Sequence, residues 1–233
     1  MLEQITIPEK SERYYLDHKS GIYYPSVSFV LSVGYPSDPY LTDWIASVGK
    51  EESDKRLKEA GAKGSRVHDY IDRLIKGEHI SSEHLGFSEK KCLAAFLEWY
   101  SEEEPEFIEC EYQIWNKKKK YAGTVDGLCR LKSDDYQSVW LIDYKTSKSL
   151  HDKHRAQIAA YVMAEKRAER GALLHLGNST RKGYTFSEVD VEEFWERFDL
   201  SLQMFYKLKP DQPKIPSYPS VFSVESLPPV PET

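Results

Sequence analysis

Asp126, Asp143 and Lys145 are the residues of this chain whose types and spacing could do chemistry. In VWLIDYK, residues 139–145, strand alternation puts Asp143 and Lys145 on one side with Val139 and Leu141, and Trp140 and Ile142 on the other. A strand apolar on both faces belongs in the middle of a covered sheet. An acid and a lysine at the end of such a strand must be paired or bind an ion, because unpaired charges are costly to bury. Asp126 ends another apolar strand just upstream. Two carboxylates and an ammonium converging at one sheet end suit a divalent cation held beside a phosphodiester. Mg²⁺ prefers oxygen ligands and keeps several waters, so Asp126, Asp143 and the backbone carbonyl of Tyr144 would leave sites for water and a phosphate oxygen. Such a metal acidifies a bound water and neutralises charge at phosphorus. Lys145 would orient that water or stabilise the crowded phosphorane. Taken alone, Asp-x-Lys reads more simply as an ion pair. Its company, GTVDG at 123–127 and QIAAY at 157–161, moves the reading to chemistry.

Other residues join this group by spacing. Glu111 shares a strand face with Glu109 and Gln113 and would supply a further metal ligand, though a solvated strand face explains it too. Gln157 and Tyr161 lie four apart on a helix and share a face with His154, where neutral polar groups would position Lys145 or a phosphate. His68 follows Gly64 by one turn, on the side of Ile71 and Ile75; without further context it is a core histidine. Lys117, Lys118, Lys119 and Lys120 occupy a hairpin loop read as lying beside Glu111 and Asp126, where they would contact a DNA backbone or simply be solvated. Lys148, Lys153 and Arg155 follow the Asp143 strand and are read as phosphate contacts.

The elements that must position these groups follow from periodicity. A hairpin at 12–33 leads into a short apolar stretch, with His18 to Gly21 as the turn. Leu41, Trp44, Ile45 and Val48 start an amphipathic helix reaching about residue 60, either continuous or broken at Gly49, and Gly61 and Gly64 are expected to end it before a second helix over 65–76. A third is expected over 88–100. The strands FIECEYQIW, YAGTVDGLCRL and SVWLIDYKT, joined by short polar loops, predict an antiparallel meander. A helix over 150–169 follows, then strands ALLHLG and TFSEVDV, then a last helix opened by Asp190 and Glu193 with Phe194, Phe198, Leu202 and Phe205 on one stripe. This predicts one domain over 1–208 and a Pro- and Ser-rich extended or disordered tail over 209–233.

Bulk properties narrow the classes. The net charge of −6 means that any nucleic-acid contact must use a local basic surface. Three scattered cysteines, Cys92, Cys110 and Cys129, form neither a CxxC pair nor a disulfide framework, as expected of a reducing compartment. No apolar run approaches the roughly 18 residues of a membrane span, and the first residues lack a secretory or transit pattern. A cytoplasmic protein is expected.

These motifs resemble the PD-(D/E)XK nuclease superfamily in its RecB-like branch. Gly64 to His68 matches its G-x-x-x-H, Gly123 to Asp126 its G-x-x-D, Asp143 to Lys145 its D-x-K, and Gln157 to Tyr161 its Q-x-x-x-Y. From YPSVSFVL to about Lys207 the chain is similar to the group that includes the mitochondrial genome maintenance exonuclease and its bacterial and phage relatives. The resemblance implies an α/β fold with a mixed central sheet, an antiparallel catalytic meander and flanking helices. It implies metal binding by Asp126 and Asp143, an assisting metal role for His68, the catalytic role for Lys145 and a place in the site for Gln157. Val125 stands where the superfamily name has proline, as is usual in this branch. Relatives with an iron–sulfur cluster use four cysteines; this chain has three, so no cluster is expected. The activity implied is a Mg²⁺- or Mn²⁺-dependent exonuclease acting on single-stranded DNA ends in recombination, repair or replication-end processing. The alternatives are a structure-specific endonuclease and a catalytically silent DNA-binding subunit.

Overall fold

The computed structural model describes residues 2–7 and 12–213, so most of the Pro- and Ser-rich tail lies outside the described residues. Strands β1 (Leu2–Ile7), β2 (Glu12–Asp17) and β3 (Ile22–Pro25) form a small antiparallel sheet in that order. The β2–β3 turn is fixed by Asp17, whose carboxylate accepts from the Lys19 N–H and the Ser20 hydroxyl, and by Gly21 at φ +67°. The apolar stretch that follows is helical: α1 (Val27–Gly34) begins at Ser26, whose hydroxyl accepts from the Phe29 N–H. Gly34 is obligatory, since a Cβ there would lie 2.0 Å from the Ser201 carbonyl oxygen.

Helix α2 (Pro39–Val48) has Asp38 as N-cap and Pro39 in its first turn. Helix α3 (Lys50–Ile75) then runs unbroken for 26 residues. The expected break at Gly61 and Gly64 is therefore wrong, whereas the break that the sequence also offers at Gly49 is present, with that residue at φ +86°. A glycine inside a helix costs only about 1 kcal/mol relative to alanine. That is too little to end a helix whose Val67 and Ile71 are fully buried.

Helix α4 (Phe87–Glu103) precedes the main sheet, made of β4 (Glu106–Asn116), β5 (Tyr121–Arg130), β6 (Trp140–Lys145), β7 (Arg170–Leu176) and β8 (Tyr184–Glu188). Sheet order is chain order. The β4–β5–β6 meander is antiparallel as expected, β6 and β7 are parallel, and β8 returns antiparallel. Parallel pairing demands a crossover, supplied by α5 (Asp152–Ala164). This helix ends five residues before the expected boundary. Glu165 caps it and its carboxylate grips Arg167, which turns the chain into β7.

The last helix, α6 (Val191–Leu208), is capped as expected by Asp190, which accepts from the Glu193 N–H. It buries Phe194, Phe198, Leu202 and Phe205 against α1, α5 and one sheet face, the face of Val139 and Leu141. Trp140, Ile142 and Tyr144 point the other way, into a second core with Val67 and Ile71 of α3 and Phe96 and Trp99 of α4. The result is an α/β fold with a five-stranded mixed sheet covered by helices on both faces. Among the described residues, no helix is long and apolar enough to cross a membrane.

Candidate active site

The two aspartates meet where two strands part. β5 and β6 pair from Cys129↔Trp140 to Gly127↔Ile142 and no further. Beyond that point the Asp126 carboxylate accepts the Tyr144 N–H at 2.7 Å, taking the bond a neighbouring strand carbonyl would otherwise receive. Both acids are buried, Asp126 at 8% and Asp143 at 2% exposure. The glycines bracketing Asp126 are there for room. A Cβ at Gly123 would lie 2.4 Å from the Tyr161 ring, and one at Gly127 would lie 2.9 Å from the Phe107 ring.

On the α5 side, a hydrogen-bonded chain fixes Lys145. Its ammonium pairs with the Asp143 carboxylate and donates to Gln157 Oε1 at 3.1 Å. The Gln157 amide nitrogen donates in turn to Asp143 Oδ1 at 3.1 Å and to the Tyr161 hydroxyl at 3.0 Å. The i, i+4 spacing of Gln157 and Tyr161 makes this possible, and Gly123 admits the ring that ends the chain. His154 lines the same cleft, and burial followed by the nearby Lys145 charge pushes it down to about 3, so it is neutral.

On the α3 side, His68, Glu111 and Asp126 each aim one ligand-type atom at a common point, all within 4.8 Å of one another. His68 Nδ1 lies 3.2 Å from Asp126 Oδ1. Burial works against a charged His68, but the Asp126 carboxylate outweighs it and lifts the imidazole to about 9. Burial likewise opposes ionisation of Asp126, yet His68 holds it below the usual carboxylate range. Asp143 is raised, by burial first, with the Lys145 charge opposing and Asp126 adding. Glu111 is exposed as a residue, but its carboxyl sits deep enough for loss of water, then the Asp126 charge, to push it up to about 7. Crowded carboxyl oxygens, of which those of Glu111 and Asp143 resist ionisation, with one imidazole among them, are a donor set that fits Mg²⁺ or Mn²⁺. A cation there would relieve the repulsion the protein leaves standing.

Both groups open into one cleft of about 700 Å³. It is lined by Asp126, Asp143, Tyr144, Lys145, Gln157, Tyr161, His68 and Glu111, so the expected catalytic and metal residues converge. Asp143 is not in the His68–Glu111–Asp126 trio, because its carboxylate turns toward Lys145 and Gln157.

The expected basic contacts do not line this cleft. Lys117, Lys118, Lys119 and Lys120 form the tip of the β4–β5 hairpin, away from Glu111 and Asp126, and Lys119 pairs with Asp199 of α6 at 2.5 Å. The reading of that loop as a neighbour of the acids is therefore wrong. Its strands are 11 and 10 residues long, and the acids sit near their middles. Lys148, Lys153 and Arg155 are also off the cleft wall; Arg155 bonds to Asp152 at 3.1 Å, and burial lowers Lys153.

Instead the wall uses Gln4, Arg13 and Ser28 from the N-terminal segment and Asp72 from α3, none foreseen. Asp72 stands one turn beyond His68, so helical spacing held the signal for it. Arg13 and Gln4 carried none, since only tertiary packing brings β1 and β2 across.

No family model and no curated protein matches this chain. Among solved structures it is similar to one described as "Crystal structure of SSO0001", at 15% identity and a TM-score of 0.36, over 76% of this chain and 74% of that one. So loose a superposition carries no functional argument.

Proposed function

We propose that the chain is a Mg²⁺- or Mn²⁺-dependent deoxyribonuclease of the PD-(D/E)XK type, RecB-like branch, hydrolysing single-stranded DNA from a free end. The observation that supports it is the meeting of Asp126, Asp143, Glu111 and Lys145 in one cleft, with Lys145 held between Asp143 and Gln157. Asp126, Asp143, Glu111 and His68 are the residues that would hold the metal. When bound, the metal supplies an acidified water and charge neutralisation at phosphorus. Lys145 directs a fixed positive charge at the reacting phosphate, where charge develops in the transition state. Gln157 keeps the ammonium and the Asp143 carboxylate in register, and Tyr161 keeps Gln157 in place. Neutral His154 adds a polar group to the wall without disturbing the charge balance.

The preference for free single-stranded ends comes from the sequence resemblance. It is tested by incubating the protein with end-labelled linear single strands, closed circular single strands and blunt duplex in Mn²⁺. The expected outcome is degradation of the linear strand alone. Cutting of the circle would favour the endonuclease, and no cutting with retained DNA binding would favour the silent subunit.

A further inference from the structure

A second cleft, of about 690 Å³, lies where the outer side of β4 meets the end of α5, and the proposed hydrolysis makes no use of it. Two aromatic rings and a surplus of cations line it. Trp115 is 37% exposed, and the Lys117 ammonium lies 5.5 Å from the centre of its ring. The Tyr112 ring faces the Arg167 guanidinium at 5.2 Å. Arg167 is committed: it bonds to Glu109 at 2.8 Å and to both oxygens of Glu165 at 2.8 and 3.0 Å. That single guanidinium offsets one of the two acid charges and is shared between both carboxylates. Lys117, Lys118 and Lys166 also line it, and among the described residues none has a carboxylate within ion-pair distance. The charge left over is positive, on a chain whose net charge is −6.

The strand β4 joins the two clefts. Glu111 stands in the first and Trp115 in the second, four residues further along, a separation of about 13 Å at the ordinary strand rise. A polyanion leaving the first cleft along β4 reaches the second within a few nucleotides.

We propose that this second cleft binds single-stranded nucleic acid, stacking a base on Trp115 and receiving phosphates from Lys117, Lys118 and Lys166. Its place as the seat of the segment flanking the scissile one rests on the nuclease reading; its capacity to bind does not. The chemistry selects a single strand because stacking on a side chain needs an unstacked base, and it is indifferent to sequence.

The test is fluorescence anisotropy in EDTA with a labelled oligothymidine of about 16 nucleotides, the long strand. Trp115→Ala binds this strand about tenfold more weakly, the loss of one stacked base. Trp115→Phe recovers most of that loss, which separates stacking from misfolding. Lys118→Glu with Lys166→Glu lowers the salt dependence of long-strand binding, by about 0.7 in the log–log slope for each phosphate no longer neutralised. Unchanged long-strand affinity in Trp115→Ala overturns the proposal. So does a polyglutamate peptide that binds as tightly as the long strand and loses as much in Trp115→Ala, since the cleft would then be a docking site for acidic protein. Trp115-dependent binding in a protein that cleaves nothing keeps this cleft and removes the nuclease reading. Cleavage without Trp115-dependent binding does the reverse.

Discussion

Around Lys145 the protein supplies its own partners, whereas around Asp126 it assembles groups that repel. On the α5 side, Lys145, Asp143, Gln157 and Tyr161 form a closed chain of hydrogen bonds and one ion pair. On the α3 side, Asp126 and Glu111 crowd together with His68, and burial, then the Asp126 charge, push Glu111 up to about 7. The first half is organised before any ligand arrives, which is what a catalytic ammonium needs. The second half is incomplete in charge, which is what a cation site looks like before the cation. One wall of the cleft is tied together by its own bonds, and the other is left crowded with charge.

If that division holds, damage to the two halves differs in kind. The largest effect is expected from Asp143→Ala or Lys145→Ala, which removes a preorganised charge and slows DNA cleavage by on the order of 10²–10³. Circular dichroism should show the fold intact, and near-normal turnover in Lys145→Ala would dissolve the assignment. His68→Ala strikes the other half, and its signature is a metal requirement raised by about 10–100-fold, read from cleavage rate against Mn²⁺ concentration. A loss of rate that saturating Mn²⁺ fails to restore would put His68 with Lys145 instead.

Gly123→Ala is smaller and more local. The added methyl meets the Tyr161 ring at 2.4 Å, so overpacking should cost about 1–3 kcal/mol in urea unfolding. Displacement of Tyr161 should slow cleavage while leaving the Mn²⁺ dependence alone. Unchanged stability would mean that Tyr161 has room to move and does not hold Gln157.

The smallest effect concerns pH. Glu111 has its carboxyl raised in the folded state, so the protonated form is favoured there; its contribution to stability is full below about 4.5 and is lost as pH rises through about 7. His68 is also raised, so its contribution is present below about 6.5 and lost through about 9. His154, held down to about 3 by burial, works in the opposite sense and gains stability up to about 6.5, so melting temperature in EDTA should decline most steeply from pH 7 to 9. Glu111→Gln should change the slope only below about pH 7, and modestly, because the residue is open to solvent. An unchanged slope between pH 5 and 7 would show Glu111 to be an ordinary exposed acid.

What was legible in the sequence was whatever strand and helix periods carry. Alternation put Asp143 and Lys145 on one face, and i, i+4 spacing put Gln157 and Tyr161 together; both hold in the structure. The hydrogen bond from Tyr144 to Asp126 was not legible, because it depends on where two paired strands diverge. Gly64 marked the helix carrying His68 but was misread as its beginning, since packing of Val67 and Ile71 overrides a propensity of about 1 kcal/mol. The lysine run was misplaced because charge runs have no period, and two long strands carry their hairpin tip away from the acids. Arg13 and Gln4 reach the cleft only through the docking of a separate small sheet, tied to β5 by the Tyr15–Thr124 hydroxyl contact at 2.9 Å.

The central claim is that this cleft hydrolyses phosphodiester bonds only with a divalent cation at Asp126. Its most direct test is a single-turnover time course on end-labelled single-stranded DNA, run in EDTA, in Mg²⁺ and in Mn²⁺, with Asp126→Asn alongside. The account predicts shortening of the strand with either metal, none in EDTA, and none by Asp126→Asn in any buffer. Cleavage that persists in EDTA, or at an undiminished rate in Asp126→Asn, would contradict it.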